Sequence, residues 1–329
     1  MNSSGPHIGK ARARANIALA KYWGKADVAL NLPAVPSISM TLDPLTTETT
    51  VELRADLKVD ELVMNGEAAL GGELARATEL LNRVRAEAGT QLRARIVTKN
   101  HFPTASGLAS SASGFAALAA AARKAAGLPF DAIKTSALAR RSSASAARSV
   151  LGGYVELPAG VAGDDSLAAH SVAAPDHWSL CIVVAVTAEG RKAVGSTDGM
   201  THTKLSSPYY EAWVQSAPAL ADEVRAGLLS RDLGRLGPAM EQSTLAMHAC
   251  ALAANPGLLY FQPATLAAFA RVRELRAEGV AVYATMDAGP HVKALCHASD
   301  ASVVSQALGR VPGVLRTMLA APGAGVEVS

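Results

Sequence analysis

A stretch of small residues and serines, residues 102–114, has the composition that phosphate binding requires. It reads Phe-Pro-Thr-Ala-Ser-Gly-Leu-Ala-Ser-Ser-Ala-Ser-Gly, follows a predicted strand and opens a long alanine-rich helix. Small side chains let backbone N–H groups approach phosphate oxygens, the helix N-terminus adds unpaired donors, and serine hydroxyls bind phosphate or a magnesium ion. An ordinary helix N-cap with incidental serines has the same local composition, so this segment alone leaves both interpretations open.

A second segment with reactive side chains is Asn-Ile-Ala-Leu-Ala-Lys-Tyr-Trp-Gly-Lys, residues 16–25. Strand alternation through this segment places Lys21 and Lys25 on one face and Tyr22 on the other. An unpaired ammonium is costly to bury in an apolar strand, which predicts a partner for Lys21. The alternative is an edge-strand lysine whose ammonium reaches water.

Two shorter segments carry groups for binding an anion and for proton transfer. Ser-Ser-Ala-Ser-Ala-Ala-Arg-Ser, residues 142–149, places hydroxyls at a helix start with Arg148 within a turn, and a planar guanidinium suits a carboxylate. A serine-capped surface helix with an ordinary surface arginine is the alternative. Thr-Met-Asp-Ala-Gly-Pro, residues 285–290, puts Asp287 at a strand end before a tight turn, a pattern that plain turns also show.

Alternating and helical periodicities predict the elements that hold these segments. Predicted strands cover residues 12–23, 46–54, 93–99, 153–157, 180–186 and 280–286. Predicted helices cover residues 74–88, 108–126, 131–141, 208–229, 233–254 and 265–278. A loop rich in Gly and Asp separates two runs of elements, so the order fits two α+β halves. We divide them into an N-terminal domain, residues 1–175, and a C-terminal domain, residues 176–329.

The composition speaks against several classes of function. The net charge is +3, from 31 basic and 28 acidic residues that are scattered along the chain, so nothing indicates a nucleic-acid partner. The cysteines lie far apart and the histidines show no HxxxH pairing, which argues against a metal site built from them. The apolar runs are too short to span a bilayer and the N-terminus does not read as a signal peptide, so we expect no membrane partner and a cytoplasmic location.

Taken together and in this order, the four segments resemble the diphosphomevalonate decarboxylase family of the GHMP kinase superfamily. The patterns that carry the resemblance are Asn-Ile-Ala-x-x-Lys-Tyr-Trp-Gly-Lys, Phe-Pro-Thr-Ala-x-Gly-Leu-Ala-Ser-Ser-Ala, Ser-x-Ser-x-x-Arg-Ser and Asp-Ala-Gly-Pro. The first is highly specific, since ordinary kinases of the superfamily do not share its Lys-Tyr-Trp-Gly-Lys run. The resemblance implies an α+β GHMP-kinase fold. Its ATP-binding N-terminal half is ribosomal-protein-S5-domain-2-like, its C-terminal half is ferredoxin-like, and a deep cleft lies between them.

The resemblance also implies an activity. The family converts mevalonate 5-diphosphate and ATP into isopentenyl diphosphate, ADP, phosphate and carbon dioxide, in the mevalonate route of isoprenoid biosynthesis. Because a tertiary hydroxyl leaves poorly, ATP first phosphorylates it, and loss of phosphate and of the carboxylate then forms the double bond. The implied cofactors are ATP, as co-substrate, and Mg²⁺, and a homodimer is the family's expectation.

The family's catalytic residues match Asp287, Lys21 and Arg148 in this chain. By the resemblance, Asp287 accepts the hydroxyl proton as the phosphoryl group arrives and favours positive charge at the tertiary carbon. Lys21 lies near Asp287 and the transferring phosphoryl group and keeps Asp287 ionised. Arg148 holds the substrate carboxylate for antiperiplanar loss.

The resemblance also implies the binding residues. The residues expected to bind the substrate are Asn16, Tyr22, Lys25, Ser143, Ser145 and Arg148. Within this set, Tyr22 and Lys25 match positions that contact the 5-diphosphate. The residues expected to bind the ATP phosphates are Pro103, Ser106, Gly107, Leu108, Ala109, Ser110 and Ser111. The Ser111 hydroxyl is also the candidate protein ligand of Mg²⁺.

The chain departs from the family pattern at several positions. Ser142, Ala144 and Ala147 stand where two glycines and a cysteine are usual, and His291 stands where asparagine is common. These departures leave open a substrate shifted to mevalonate 5-phosphate or to mevalonate itself. Two further alternatives are a kinase that phosphorylates the 3-hydroxyl and stops, and a non-catalytic nucleotide- or RNA-binding module on the same scaffold.

Overall fold

A sheet of twelve strands runs through both halves of the computed structural model, which describes residues 7–102, 110–190 and 194–329. The strands are β1 (His7–Ala20), β2 (Lys25–Asp27), β3 (Leu32–Pro33), β4 (Ser37–Arg54), β5 (Glu61–Met64), β6 (Glu67–Ala68), β7 (Arg93–Asn100), β8 (Tyr154–Leu157), β9 (His170–Ala173), β10 (Leu180–Val186), β11 (Val282–Thr285), β12 (Val292–His297), β13 (Arg316–Pro322) and β14 (Glu327–Val328). The helices are α1 (Gly72–Ala88), α2 (Ser110–Ala125), α3 (Ala132–Ser142), α4 (Ala144–Ser149), α5 (Ser196–Ser206), α6 (Tyr210–Ser230), α7 (Leu233–Leu252), α8 (Pro263–Ala277) and α9 (Ala301–Gly309). The strands β2 and β3 form a separate ribbon.

The strand β4 joins the two halves of the sheet. It pairs antiparallel with β1, β7 and β8 of the N-terminal half. At Leu42 and Asp43 it also meets β13 of the C-terminal half. Beyond this point β4 alternates buried and half-buried side chains, as expected for a strand that packs on one face. The prediction of a strand over residues 46–54 is confirmed, although the observed strand begins earlier.

The alanine-rich helix α2 lies across β1 and β4. Small side chains allow the close approach, because a Cβ on Gly9 of β1 would stand 2.1 Å from the carbonyl oxygen of Ala121. A contact of 2.7 Å between the Thr47 and Ser113 hydroxyl oxygens fixes the first turn of α2 against β4. The described start of the phosphate segment is therefore anchored to the sheet.

The C-terminal half is built on β10, whose seven residues are all buried. It pairs antiparallel with β12 on one side and with β13 on the other, and β11 pairs with β12. The helices α6 and α7 pack on each other and also contact β1 of the N-terminal half. These contacts bring the end of β1 next to the turn between β11 and β12.

Most predicted elements are confirmed, and the α+β class is correct. The predicted long helices appear as α6, α7 and α8 with small shifts at their ends. The strand predicted over residues 12–23 is wrong at its C-terminal end: β1 stops at Ala20, because strand pairing ends there while burial continues. The helix predicted from residue 108 appears as Ser110–Ala125, and its first two predicted residues lie outside the described ranges. None of the helices in the described ranges is long and apolar enough to cross a bilayer.

Candidate active site

Asp287 stands between two buried lysines at the junction of the two halves. Its Oδ1 accepts a hydrogen bond from Lys21 Nζ at 2.7 Å, and its Oδ2 lies 3.2 Å from Lys293 Nζ. The side chains of both lysines are 1% exposed, whereas 29% of the Asp287 side chain is open. Lys21 follows the end of β1, Asp287 lies in the turn after β11, and Lys293 is in β12. The carboxylate is therefore the accessible member of the cluster.

Burial and charge shift the titration of this cluster. Burial lowers the pKa of Lys21 to about 8, and the neighbouring Asp287 carboxylate opposes that shift. Burial alone would raise the pKa of Asp287, but the ammonium groups of Lys21 and Lys293 outweigh it and hold that pKa well below its usual range. Asp287 therefore stays ionised at any physiological pH.

Arg148 adds a third buried cation to the same cleft. Its Nε donates to Ser39 Oγ at 3.0 Å, its Nη1 to Ser37 Oγ at 2.5 Å, and its Nη2 to Asn16 Oδ1 at 3.4 Å. These partners are neutral, and none of the ion pairs found in the described ranges includes Arg148. Burial lowers the pKa of Arg148 to about 10, with Asp287 opposing the shift. The guanidinium is thus charged and held in place without a carboxylate partner of its own. The alternative of an ordinary surface arginine is wrong.

Asn16 and the two predicted serines lie next to Arg148. The Asn16 amide donates to the Ser145 carbonyl oxygen at 3.0 Å and to Ser149 Oγ at 2.8 Å. The Asn16 side chain is therefore engaged with α4, which it ties to β1. The Ser143 and Ser145 hydroxyl oxygens are 3.0 Å apart, and each is half-buried.

Three tyrosine hydroxyls are buried polar atoms around the segment from Tyr22 to Lys25. The hydroxyls of Tyr22, Tyr210 and Tyr260 make no hydrogen bond to any described residue. Burial raises the pKa of Tyr22, the Arg148 charge opposes this, and Tyr210 adds to it, so both of these side chains are near Tyr22. Lys25 is half-buried, and burial lowers its pKa. The predicted alternation that placed Lys21 and Lys25 on one strand face does not apply, because β1 ends before both.

The start of α2 lines a cavity of about 130 Å³ in the N-terminal half. Its lining combines hydroxyls, an amide, one acidic and one basic side chain, and apolar residues: Thr49, Leu62, Met64, Glu73, Arg76, Ala77, Ile96, Thr98, Asn100, Ser110, Ser111, Gly114, Phe115 and Leu118. Among the predicted ATP residues, only Ser110 and Ser111 can be placed. The other five, Pro103, Ser106, Gly107, Leu108 and Ala109, lie outside the described residues.

Three kinds of site residue escaped the sequence analysis. Lys293 interrupts the apolar strand β12, which is the same signal that singled out Lys21 and could have found it. Ser37 and Ser39 alternate on β4 and orient Arg148, but nothing in their local sequence indicates that partner. Arg76 lies over the Phe115 ring at 5.0 Å, on the cavity wall, and its local sequence reads as an ordinary exposed helix.

Sequence comparison extends over both halves of the chain. A family model described as a diphosphomevalonate decarboxylase-like N-terminal domain matches residues 13–168, and a mevalonate 5-diphosphate decarboxylase C-terminal domain model matches residues 182–317. The diphosphomevalonate decarboxylase of Candida albicans is 34% identical over 323 residues, which cover 92% of this chain and 88% of that protein. The phosphomevalonate decarboxylase of Haloferax volcanii is 35% identical over 275 residues, 83% of each chain.

A solved structure gives the same result for the fold. The structure described as MDDEF in complex with MVAPP, AMPPCP and magnesium has a TM-score of 0.92 and 38% identity, and the match covers 99% of both chains. The fold is therefore the GHMP kinase fold, in the two-domain arrangement expected from the sequence. Within this fold class, the chain belongs to the diphosphomevalonate decarboxylase family.

Proposed function

We propose that this protein catalyses the ATP-dependent decarboxylation of mevalonate 5-diphosphate to isopentenyl diphosphate, through phosphorylation of the 3-hydroxyl. This reaction belongs to the mevalonate route of isoprenoid biosynthesis. The observation that carries the proposal is the charge of the cleft, where the described residues place three buried cations, Lys21, Lys293 and Arg148, around one carboxylate, that of Asp287. Such an excess of positive charge is costly unless an anion binds there. A substrate carboxylate and a transferred phosphoryl group together supply that anion.

Asp287 and Lys21 are proposed to act on the 3-hydroxyl. The open face of Asp287 accepts a hydrogen bond from the hydroxyl, and the proton passes to the carboxylate as the phosphoryl group arrives. Because its pKa is held low, Asp287 passes this proton on to the transferred phosphoryl group, which departs as hydrogen phosphate. Asp287 is then ionised again and favours the positive charge at the tertiary carbon. Lys21 uses two of its three N–H groups on Asp287 and the Ala18 carbonyl oxygen, which leaves one for the transferred phosphoryl group.

Arg148 is proposed to hold the substrate carboxylate. Its hydrogen bonds to Ser37, Ser39 and Asn16 use three of the five N–H groups of a guanidinium, and the planar fork suits a carboxylate. A fixed carboxylate is required because its carbon–carbon bond must align with the departing phosphate. The adjacent Ser143 and Ser145 hydroxyls are proposed to position the substrate and the transferred phosphate beside it.

The 5-substituent is proposed to lie beyond Tyr22. The unpartnered hydroxyls of Tyr22 and Tyr210 and the ammonium of Lys25 are all donors, which suits a phosphate or diphosphate. The Tyr210 hydroxyl would stand 2.3 Å from a Cβ on Gly24, so it reaches the backbone between Tyr22 and Lys25.

ATP is proposed to bind at the start of α2, with its phosphates toward Asp287. Ser110 and Ser111 line the cavity there, and Pro103, Ser106, Gly107, Leu108 and Ala109 complete the proposed phosphate segment. Magnesium would neutralise charge on the phosphates, with the Ser111 hydroxyl as a protein ligand. The described ranges contain no cluster of His, Cys, Asp or Glu able to hold a metal alone. This donor set fits an ion that enters with the nucleotide.

Mevalonate 5-phosphate is the second candidate substrate. The relative from Haloferax volcanii is named phosphomevalonate decarboxylase, and it is as similar in identity to this chain as the diphosphomevalonate decarboxylases are. The two reactions share the whole reacting end of the cleft and differ only beyond Tyr22. A comparison of the substrates therefore tests whether the departures from the family pattern change the substrate preference. These departures are Ser142, Ala144, Ala147 and His291.

The test compares mevalonate, its 5-phosphate and its 5-diphosphate with purified protein, ATP and Mg²⁺, while ADP and carbon dioxide are both followed. We expect equal amounts of ADP and carbon dioxide, with the highest kcat/KM for the 5-diphosphate. Higher kcat/KM for the 5-phosphate selects the second candidate. ADP release with a stable 3-phosphorylated product contradicts the decarboxylase, and no turnover with any of the three contradicts both.

The titration of Lys21 predicts that the activity falls at alkaline pH. Because burial lowers its pKa to about 8, its ammonium is lost as the pH rises through that value, and kcat/KM falls with it, since kcat/KM follows the titration of the free enzyme. We expect Lys21→Arg to be slower at neutral pH but to keep its remaining kcat/KM up to about pH 10, since a guanidinium stays protonated there. The measurement is kcat/KM of both proteins from about pH 6 to 10. A wild-type kcat/KM that is flat across about pH 8 to 10 contradicts the role of the ammonium.

We further propose that the protein is a cytoplasmic homodimer, as the family resemblance implies. We also propose that each chain divides into its two domains between residues 175 and 176. The gap between the two matched family models, after residue 168 and before residue 182, supports a division in this region. Sedimentation velocity of the full chain tests the dimer. A single monomeric species at micromolar concentration contradicts it.

A further inference from the structure

Helix α7 turns a polar face toward the Lys21–Asp287 ion pair. Glu241, Thr244 and His248 follow one another at spacings of three and four residues, which places them on one side of the helix. Thr244 and His248 are at most 1% exposed. A buried helix side normally carries apolar residues, so buried polar side chains here require partners.

The first two residues of this face hold the main chain and side chain just before Asp287. The Ala284 N–H donates to Glu241 Oε1 at 2.8 Å. The hydroxyl oxygens of Thr244 and Thr285 lie 2.9 Å apart. Hydrogen bonds to α7 therefore fix the last two residues of β11, which precede the turn that carries Asp287.

His248 continues the same row by one further residue. Its ring lies against the main chain of Met286, the residue that precedes Asp287. The ring is packed edge-on against Tyr260 and Phe261, with centroid distances of 5.9 Å and 5.0 Å. Burial lowers the pKa of His248 to about 3, so the ring is neutral and adds no charge to the cluster.

The same helix also contacts the other partner of the ion pair. The Lys21 N–H donates to Ser243 Oγ at 3.0 Å. The Lys21 ammonium donates to the Ala18 carbonyl oxygen at 2.8 Å, and the Thr285 hydroxyl lies 3.5 Å from that oxygen. Thr285 therefore lies between α7 and the carbonyl that anchors Lys21.

The hydroxyl of Thr244 determines which acceptor receives the hydrogen bond of the Thr285 hydroxyl. Thr244 Oγ1 donates to the Met240 carbonyl oxygen at 2.9 Å, which uses its single proton. We assign the proton of Thr285 to the contact between the two hydroxyls, at 2.9 Å, because the Ala18 carbonyl oxygen is a more distant acceptor at 3.5 Å. Without the Thr244 hydroxyl, Thr285 is left to donate to the Ala18 carbonyl oxygen, in competition with the Lys21 ammonium.

We propose that Thr244 is a positioning residue, which holds Asp287 in register with Lys21 by directing the Thr285 hydroxyl away from Ala18. The proposal rests on the proposed function for its kinetic consequence. Its geometric consequence, the distance between the Lys21 and Asp287 side chains, does not require turnover.

The kinetic test compares Thr244→Val, which keeps the shape and loses the hydroxyl, with Thr244→Ser, which keeps the hydroxyl. We expect Thr244→Val to lower kcat about tenfold with both KM values within about twofold, and Thr244→Ser to stay within about threefold of wild type. Thr135→Val is the matched control, since Thr135 is fully buried and donates to the carbonyl of Asp131, four residues earlier. We expect it to leave kcat unchanged.

A double variant shows whether Thr244 acts through Thr285. We expect Thr285→Val to lower kcat as well, and the double variant to be no slower than the slower single variant, because both break one contact. Additive losses, a Thr244→Ser variant as slow as Thr244→Val, or a Thr135→Val variant with an equal loss of kcat each overturn the proposal.

The pH profile separates positioning from general loosening. The Lys21 ammonium faces Asp287 in the turn, Lys293 on β12, Arg148 on α4 and the neutral His248 on α7. Asp287 is the only one of these that raises the Lys21 pKa. Thr244→Val should therefore move the alkaline limb of kcat/KM to lower pH, and Thr135→Val should leave it in place. An unmoved limb in Thr244→Val overturns the proposal.

Crystal structures of the variants measure the distance between the Lys21 and Asp287 side chains, and this measurement does not depend on turnover. We expect the distance from Lys21 Nζ to Asp287 Oδ1, 2.7 Å here, to lengthen in Thr244→Val and not in Thr244→Ser. An unchanged distance in Thr244→Val overturns the proposal. A lengthened distance in a protein whose wild type releases no carbon dioxide would instead leave the positioning intact and contradict the proposed function.

Discussion

Replacing Asp287 by asparagine is expected to lower kcat for carbon dioxide release about a thousandfold. Asparagine has nearly the same shape, but it cannot accept the hydroxyl proton or favour positive charge at the tertiary carbon. It also leaves Lys21 and Lys293 without their shared carboxylate, so the positive charge of the cleft increases. An anionic substrate should then bind at least as tightly, and KM should not rise. The measurement is steady-state kcat and KM at about pH 7, with ADP and carbon dioxide both followed.

Asp165→Asn is the matched control for this experiment. Its carboxylate also lies among cations, Arg140 and Arg141 each at 2.9 Å and Arg83 at 3.8 Å. None of its hydrogen bonds or ion pairs within the described ranges reaches a proposed site residue. We expect Asp165→Asn to lower the melting temperature and to leave kcat within about twofold of wild type, since only packing of the loop is affected. A loss of kcat in Asp287→Asn no larger than that of the control would remove Asp287 from the chemistry.

The burial of Lys21 illustrates how much of the site the sequence alone could predict. A lysine in an apolar run predicts a partner, and the structure provides Asp287. Local sequence could not name that partner, because 266 positions separate the two residues and many carboxylates were available. The pairing followed only from the family resemblance. The contribution of Lys293 required the register of β11 and β12, which places its side chain on the far oxygen of Asp287.

The end of β1 shows why the strand prediction failed. Trp23 is 2% exposed, so the apolar pattern continues past Ala20 as it would in a strand. The chain is buried there by helices of the other half instead. Trp213 of α6 donates its ring N–H to the Trp23 carbonyl oxygen at 2.9 Å. Burial by distant helices and burial within a sheet give the same residue pattern, so the sequence could not separate them.

Replacing Arg148 by methionine is expected to lower kcat/KM for the 5-diphosphate substrate about a hundredfold to a thousandfold. Methionine fills similar space but removes the guanidinium proposed to bind the substrate carboxylate. The loss should appear in both KM and kcat, because the carboxylate is first bound and then aligned for departure. Arg148→Lys should recover only part of it, since an ammonium keeps the charge but cannot contact Ser37, Ser39 and a carboxylate together. The measurement is kcat and KM for all three proteins.

An analogue in which the substrate carboxylate is replaced by a primary amide shows whether the loss comes from that group. Its affinity in the presence of ADP, measured by calorimetry, should be nearly equal in wild type and Arg148→Met, because the charge that Arg148 recognises is absent from both complexes. The true substrate should bind the variant much more weakly than wild type. Arg123→Met, another buried arginine whose partner Glu87 lies outside the cleft, controls for lost packing and should change neither affinity. An equal loss of affinity for the analogue and the substrate in Arg148→Met would show that Arg148 supports the cleft and does not bind the carboxylate.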